Sequence, residues 1–320
     1  VANSDFITGN GSTFTGGTGT IDIAGNLASD GAFTGGSGAI DINGNIVVGA
    51  TGSFTESPSN TNLAGNLTSN GTFTANGGTF TFDGNTNSII DGATIGFNNL
   101  AVDKSAEAVE VVINDNAVVV NAATSLQINV GTFNFQEFGG NGHSLGTVSG
   151  TANATIALAG PEGGTAVWPT APGTDISSYM ATADATINFN TANNYTIPSV
   201  PPGATNYPNI ILSGGGTKTA DGAFDINGTM TINDATTFAD AGFTHTVAGD
   251  WTETDAGAGY SGTGTVLFDG NSTVSATADT LNFNNVEIAT AVTVSAGASD
   301  LTLTGNWTEN GTGAYSSTGT

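Results

Sequence analysis

The chain has 320 residues, in which 27 acidic side chains face two lysines and no arginine, so that its formal net charge is −25. This charge argues against nucleic acid, because phosphate binding needs clustered Lys and Arg, and it disfavours anionic lipid surfaces. The chain has no cysteine, which excludes disulfides and thiolate metal sites, and it has no apolar run of about 18 residues that would predict a membrane span.

The first quarter of the chain contains a repeat of about 20 residues. Its phenylalanines lie 19, 21 and 19 residues apart, and a second large apolar residue follows each of them after nine positions. Two positions further on, a Gly-Asn pair recurs. Apolar residues at fixed phases are typical of a chain that stacks on itself turn by turn. The predicted core ladder consists of Phe14, Phe33, Phe54, Phe73, Ile23, Ile42, Leu63 and Phe82, and the predicted asparagine ladder of Asn26, Asn45, Asn66 and Asn85.

Short strands with tight corners are predicted within each repeat. Thr13–Thr15 and Thr79–Phe82 alternate between apolar residues and threonine, as half-buried strands do. Gly-Gly, Asn-Gly and Asp-Gly pairs between such segments supply the backbone freedom that corners need. We therefore predict an all-β fold, a right-handed parallel β-helix (solenoid) with rungs of about 20 residues and about 15 rungs in all. The asparagines would form an amide ladder along one edge.

The repeat divides the chain into three segments. Residues 1–138 and 209–320 read as regular rungs, and residues 139–208 as less regular ones that hold seven of the eight prolines. Proline removes a ladder donor, so we predict a lateral loop at 161–179. Trp168 and Tyr179 are its candidate contacts to a partner, since loops on a rigid scaffold often carry recognition. The alternative is a flap that only covers an apolar strip.

The later part of the chain repeats a block of several rungs. Phe82–Asn85 recurs as Phe268–Asn271, and Phe97–Leu100 has a counterpart in Phe283–Val286. Both pairs are offset by 186 residues. The constant offset indicates duplication of more than one strand.

Few residues of this chain carry chemistry. His143 and His245 are its only histidines and lie 102 residues apart without a metal-binding pattern. Glycoside hydrolases need converging carboxylates, whereas the acidic residues here stand singly at predicted corners. We expect no enzyme, no catalytic residue, no bound cofactor and no designated metal site.

Calcium is the one ion that the sequence leaves open. Asp41–Gly44, Asp83–Asn85 and Asp225–Gly228 place oxygen donors beside glycine, as calcium loops do. None has the spacing of an EF-hand or of a calcium-binding β-roll. The alternative is a corner side chain that bonds its own backbone.

Several segments resemble the repeat units of a known class of proteins. Gly305–Thr312, with the sequence Gly-Asn-Trp-Thr-Glu-Asn-Gly-Thr, and Gly264–Asn271 look like repeats of secreted β-helical surface proteins, the repeat-rich adhesins and filament proteins of Gram-negative bacteria. The resemblance covers most of the chain. It implies an extracellular or cell-surface location and a shaft-like or adhesive role, and it brings no catalytic residue.

The two ends of the chain suggest a way of assembling. Residues 305–320 follow 249–265 closely and stop within a rung, and neither end has a visible cap. Either the chain belongs to a longer array, or its copies stack head to tail into a polymer. The residues expected at the self-assembly ends are Val1, Phe6, Ile7, Tyr315, Thr318 and Thr320.

The expected function combines these observations. We predict an extracellular structural protein, the subunit of a filament or stalk that assembles with itself by end-to-end solenoid stacking. The alternative is an adhesin shaft that binds a glycan or a partner surface through the 161–179 loop. No nucleic acid and no membrane span are expected.

Overall fold

The computed structural model of the chain describes residues 2, 4–115, 117–254, 257, 259–277, 280–296 and 299–317. Strands hold 48% of the residues and helices only 2%, which makes the fold all-β. The chain winds into a parallel β-solenoid of about 14 turns, with about 21 residues in each turn. The predicted parallel solenoid is thereby confirmed, and its right-handedness stays a prediction.

The chain divides into two compact units. Unit 1 contains residues 1–156 and 169–179, and unit 2 contains residues 157–168 and 180–320. The segment 139–208, predicted as less regular, therefore contributes to both units. Strand β18 (Ala154–Leu158) and helix α1 (Ser177–Met180) each contain a point where the chain passes from one unit to the other.

Unit 1 is built from three parallel sheets, to which each early turn contributes one strand. Sheet I contains β1 (Phe6–Thr8), β4 (Leu27–Ser29), β7 (Ile46–Val48), β10 (Leu67–Ser69), β13 (Ser88–Gly92) and β15 (Glu110–Ile113). Sheet II contains β2 (Thr13–Thr15), β5 (Ala32–Thr34), β8 (Ser53–Thr55) and β11 (Thr72–Thr74). Sheet III contains β3 (Ile21–Ile23), β6 (Ile40–Ile42), β9 (Thr61–Leu63), β12 (Thr79–Phe82), β14 (Thr94–Asp103), β16 (Val119–Asn134) and β17 (Thr147–Gly150). A 3₁₀ helix follows at Gln136–Phe138.

Unit 2 repeats this plan with its own parallel sheets. Sheet IV contains β19 (Thr186–Phe189), β21 (Asn209–Leu212), β24 (Met230–Ile232), β27 (Trp251–Glu253), β30 (Ser272–Ala276), β33 (Thr293–Ser295) and β36 (Ala314–Ser316). Sheet V contains β20 (Tyr195–Ile197), β22 (Thr217–Ala220), β25 (Thr237–Ala239) and β28 (Gly259–Ser261). Sheet VI contains β23 (Asp225–Ile226), β26 (Thr244–Val247), β29 (Thr265–Phe268), β32 (Asn285–Ile288) and β35 (Trp307–Glu309). Strand β31 (Leu281–Phe283) pairs with β34 (Leu301–Leu303).

The phenylalanine column of sheet II stacks in register. Phe14 pairs with Phe33, Phe33 with Phe54, and Phe54 with Phe73. The ring centroids of successive partners are 5.0, 5.2 and 5.3 Å apart. Phe33 and Phe54 are fully buried and the two outer rings are half-buried. The second predicted column stacks in sheet III, where the paired residues are Ile23, Ile42, Leu63 and Phe82.

Close contacts between corners explain the glycine pairs. A Cβ atom added to Gly36 would lie only 1.7 Å from the carbonyl oxygen of Gly17 in the preceding turn. No side chain fits at that distance, so glycine is required where the corners of successive turns touch. Among the described residues, no helix has the length and apolarity that a membrane crossing requires.

Candidate functional site

An asparagine ladder joins successive turns at the corner before sheet I. Oδ1 of Asn26 accepts hydrogen bonds from the backbone N (2.8 Å) and from Nδ2 (2.9 Å) of Asn45, one turn later. Oδ1 of Asn45 accepts in turn from the backbone N of Asn66, at 2.8 Å. The structure thus brings three of the four predicted ladder residues together, and their amides satisfy backbone groups that a corner would otherwise leave unpaired.

Asn85 does not belong to this ladder, and its predicted place there is wrong. The position above Asn66 is taken by Ile89, whose backbone N–H donates to Asn66 Oδ1 at 2.8 Å. Leu63 and Phe82 are register partners, but Leu67 lies four residues after Leu63 whereas its own partner Ile90 lies eight residues after Phe82. The Gly-Asn pair recurs in the sequence, but the extra residues move it out of register.

An acidic residue forms the base of a ladder in each unit. Oδ1 of Asp5 accepts from the backbone N (2.7 Å) and Nδ2 (3.0 Å) of Asn26. In unit 2, the carboxylate of Glu162 accepts from the same two groups of Asn194, at 2.7 and 2.8 Å, and these bonds lower the pKa of Glu162. The sequence analysis missed both residues, although Asp5 lies one repeat before Asn26. A carboxylate accepts but does not donate, so the chain of amide bonds starts there.

One predicted assembly end is an open strand edge with an apolar rim. Among the described residues, β1 is paired only with β4. Phe6 and Thr8 bond that neighbour through their backbones, so the N–H and C=O of Ile7 point to the other edge. The Ile7 side chain is 68% exposed. Beside it lies an open cleft of about 200 Å³, whose lining includes Phe6, Phe14, Ile21 and Ile23.

The other predicted end is described only in part. Tyr315 lies in β36 and is half-buried, with its ring centroid 4.9 Å from that of Trp307. In the described range, β36 is paired with β33 alone. Val1, Thr318 and Thr320, which belong to the same prediction, lie outside the described residues.

Trp168 and Tyr179 are packed inside the protein, so their predicted role as contacts of a free loop is wrong. Tyr179 is fully buried, and its hydroxyl donates to the backbone carbonyl of Ala154 at 2.8 Å. Trp168 is 5% exposed, with its ring centroid 6.3 Å from that of Tyr207. The prolines interrupt the repeat without freeing the segment, because isolated β-bridges still tie it to regular strands. These contacts agree with the alternative of a covering flap.

Both histidines are buried and bonded to backbone groups through both ring nitrogens. Nδ1 of His143 accepts from the backbone N of Val120 at 3.0 Å, and Nε2 lies 2.9 Å from the carbonyl oxygen of Phe138. Nδ1 of His245 accepts from the backbone N of Phe224 at 3.1 Å. Burial lowers the pKa of both imidazoles. With both nitrogens occupied, neither ring is free to act as a general base.

Lys218 is enclosed in a cage of backbone carbonyls. Its Nζ donates to the carbonyl oxygens of Thr191 (2.7 Å), Asn193 (3.0 Å) and Gly215 (2.7 Å) and lies 4.5 Å from the ring centroid of Tyr195. Burial lowers its pKa to about 8, while the carbonyls and the ring face favour the charged form. An ammonium group with three acceptors has no donor left for a ligand.

Lys104 is the less completely paired of the two lysines. It is buried, and its Nζ donates to the hydroxyl of Ser88 at 2.7 Å. Burial lowers its pKa to about 8, and the charge of Asp83 opposes this shift. The sequence analysis assigned a role to neither lysine. For Lys218 a signal existed, because it occupies the inward phase that Phe238 takes one turn later.

Glu56 places a carboxyl group in the core of unit 1. It is 1% exposed, and burial raises its pKa to about 8. It stands one turn after Gly35, where a Cβ atom would touch Ile40 at 2.7 Å, and Thr61 takes the place of that isoleucine in the next strand. A Glu–Thr pair thus replaces a Gly–Ile pair. In the described structure, Oε1 of Glu56 and Oγ1 of Thr61 have no hydrogen-bond partner.

Some acidic residues of the calcium candidates lie near one another. The described residues contain no group of three or more His, Cys, Asp or Glu side chains that could hold a metal ion. Burial, followed by the charge of Asp41, raises the pKa of Asp83. Burial and Asp225 do the same for Asp269, its counterpart in the duplicated block. Calcium binding stays a prediction.

Comparison of the chain with protein-family models, with curated proteins and with solved structures yields no match.

Proposed function

We propose that the protein is an extracellular structural subunit of a filament or stalk, in which copies of the chain stack end to end as β-solenoids. The observation that carries the proposal is that the histidines and lysines bond groups inside the protein. Both histidines and both lysines are buried, and three of these four side chains bond backbone atoms directly. Side chains that bond neighbouring turns favour a structural role, which the buried apolar columns and the amide ladders within each unit also suit.

The proposed polymer would be joined by the same parallel strand pairing that joins turns within the chain. Within the chain, each turn satisfies the backbone of the next through in-register pairing. The outer edge of β1 offers the same N–H and C=O groups to a second copy, and the apolar cleft beside it offers surface to bury. A head-to-tail contact of this kind does not close on itself, so it extends into a fibre.

Electron microscopy and light scattering across a concentration series test the proposal, with two variants of Ile7. Ile7→Pro removes the backbone donor at the outer edge of β1, and Ile7→Thr keeps this donor while replacing the exposed apolar side chain. We expect fibres from the natural sequence and from Ile7→Thr, and dispersed monomers from Ile7→Pro with unchanged circular dichroism. If the natural chain stays monomeric at every concentration, the proposed self-assembly is refuted.

The lateral-loop alternative has lost the side chains on which it depended. Trp168 and Tyr179 are buried, so a glycan or partner surface would find neither ring at the surface of 161–179. We therefore advance the stacking function alone, with its extracellular location as part of the same proposal.

A further inference from the structure

The two histidines of the chain, one in each unit, make the same pattern of contacts. In each case Nδ1 lies against a backbone N–H of a neighbouring turn, which belongs to Val120 for His143 and to Phe224 for His245. In each case Nε2 lies against the carbonyl oxygen of the residue five positions earlier in the chain, at 2.9 Å from that of Phe138 and 3.2 Å from that of Asp240. The arrangement recurs although the surrounding sequences differ.

These contacts fix the protonation state of each ring. A backbone N–H can only donate, so Nδ1 of His143 must carry a lone pair. A carbonyl oxygen can only accept, so Nε2 must carry the hydrogen. The same reasoning applies to His245. Each imidazole is therefore neutral, in the Nε2–H form. It joins two backbone groups of its unit, because it accepts one hydrogen bond and donates the other, and we call this arrangement a staple.

Protonation of Nδ1 would replace its hydrogen bond to the backbone N–H with repulsion. A proton on Nδ1 would face the N–H of Val120 or Phe224, two donors with no acceptor between them. Both rings are buried against aromatic side chains, with centroid distances of 5.3 Å from His143 to Phe135 and 5.0 Å from His245 to Phe238. Accommodating the charge therefore requires the contact between the ring and the backbone N–H to open.

The charged groups nearby differ between the two sites. Next to His143, the titratable side chain on the packed 3₁₀ helix is Glu137, which is exposed. Next to His245 stands the buried carboxylate of Asp240, which accepts from the backbone N of Gly264 (2.6 Å) and Gly242 (2.8 Å) and from the hydroxyl of Tyr260. Its negative charge favours a proton on His245, yet it is already saturated with donors.

We propose that His143 and His245 are acid-sensitive staples, whose protonation breaks the bonds to Val120 and Phe224 and loosens the neighbouring turns of each unit. The inference does not depend on the stacking function, because it concerns contacts between neighbouring turns inside each unit. In a moderately acidic environment, each unit would open locally around its histidine.

The direction of the effect follows from proton linkage. Burial lowers the pKa of each histidine in the folded state below the ordinary value of 6.5, so the unfolded chain binds more protons between the two values. The stabilisation is complete above about pH 6.5 and decreases as the pH falls through this window. Glu56 changes in the opposite sense, because its raised pKa makes unit 1 more stable on acidification. The test must therefore observe the staples themselves.

Nitrogen-15 NMR of the full chain labelled only in histidine tests the inference directly, because two residues give two sets of signals. At pH 7.5 we expect both rings as the Nε2–H tautomer, and both titrating below pH 6.5. Amide exchange should show the protection factors of Val120 and Phe224 falling about tenfold per pH unit below pH 6.5, while that of Phe54 does not fall with them. Rings that titrate at or above pH 6.5, or that carry the hydrogen on Nδ1, would overturn the proposal.

Two single variants separate titration from packing. Asn in place of His keeps an acceptor near the position of Nδ1 but does not titrate. In His143→Asn, the acid-induced loss of protection should disappear at Val120 and persist at Phe224, and His245→Asn should show the reverse. If acid still opens the same contact in the variant, histidine is not the switch. If a variant fails to fold, the tautomer and titration of the natural chain still decide.

Discussion

Sheets II and V are both parallel and four-stranded, but their inward columns are built differently. In sheet II the column consists of four phenylalanines, whose successive rings stack at interplanar angles of 5° to 25°. In sheet V the successive partners are Tyr195, Lys218, Phe238 and Tyr260. Where rings meet directly in that column, as Phe238 and Tyr260 do, they are tilted by 54°.

The mixed column needs polar support that the uniform one does not. The hydroxyl of Tyr195 donates to the carbonyl of Asn190 at 2.6 Å, that of Tyr260 donates to Asp240, and Lys218 requires three carbonyls. Some of these acceptors lie at corners with positive φ, among them Thr191 (80°) and Gly215 (86°). A column of identical apolar rings only has to be in register. Each polar group inside a column also needs a hydrogen-bond partner, which a nearby corner must supply.

The largest expected effect breaks the uniform column at its centre. Phe54→Ala deletes a fully buried ring between two stacked neighbours and should lower the free energy of unfolding by about 3–5 kcal/mol. Phe73→Ala, at the half-buried end of the column, should cost about half as much. Urea denaturation followed by circular dichroism measures both. Equal decreases in the free energy of unfolding would contradict the difference in burial between the central and the outer rings.

The next largest effect is expected when the cation is removed from the mixed column. Lys218→Met keeps the length of the side chain but removes the donor of three hydrogen bonds to backbone carbonyls, which should cost about 3 kcal/mol. Lys104→Met loses one hydrogen bond and should cost about 1 kcal/mol. Thermal and urea unfolding compare the two. A Lys218→Met protein as stable as the natural one would show that the cage is not built for the ammonium group.

A smaller, pH-dependent effect concerns the carboxyl group below the phenylalanine column. The pKa of Glu56 is raised from 4.5 to about 8 in the folded state, so the unfolded chain loses its proton first and stability falls as the pH rises through that window. Glu56→Gln removes this contribution and leaves that of the histidines unchanged, so the difference in the free energy of unfolding between the two proteins should change by roughly 1 kcal/mol per pH unit. Urea unfolding of both proteins at pH 5, 6.5 and 8 measures this difference. Parallel slopes in the two proteins would contradict an uncharged Glu56.

The smallest effect tests the amide ladder beside the uniform column. Asn45→Ala removes one side-chain donor and one acceptor between turns and should cost about 1–2 kcal/mol. Asn85→Ala, in the same Gly-Asn motif but outside the ladder, should stay within about 0.5 kcal/mol. Similar losses in both variants would place Asn85 in the ladder after all.

The same contrast explains what the sequence could predict. The registers of Phe14 to Phe73 and of Ile23 to Phe82 follow from constant spacing, because a one-residue slip would turn the whole apolar set outwards. Spacing fails where a corner changes length, and this is why Asn85 was misplaced. It also fails where polar residues enter the core, since neither Lys218 nor Glu56 differs by type from a surface residue.

The segment 161–179 shows another limit of the sequence. Its prolines predict broken strands, and the described structure has no strand between Leu158 and Thr186, but proline content does not reveal whether a segment packs. The burial of Trp168 and Tyr179 depends on partners that lie 39 and 25 residues away along the chain. Contacts at such irregular separations leave no periodic signal.

Disulfide trapping tests the stacked register most directly, and the natural absence of cysteine makes it clean. Thr34 and Thr55 are register partners in sheet II, whereas Thr34 and Ser53 are offset by two residues. Strands about 4.8 Å apart bring the first pair within disulfide range and leave the second beyond about 7 Å. We predict that the Thr34→Cys/Thr55→Cys variant crosslinks on mild oxidation and that Thr34→Cys/Ser53→Cys does not. Crosslinking of the second pair in preference to the first would contradict the solenoid register on which the whole account depends.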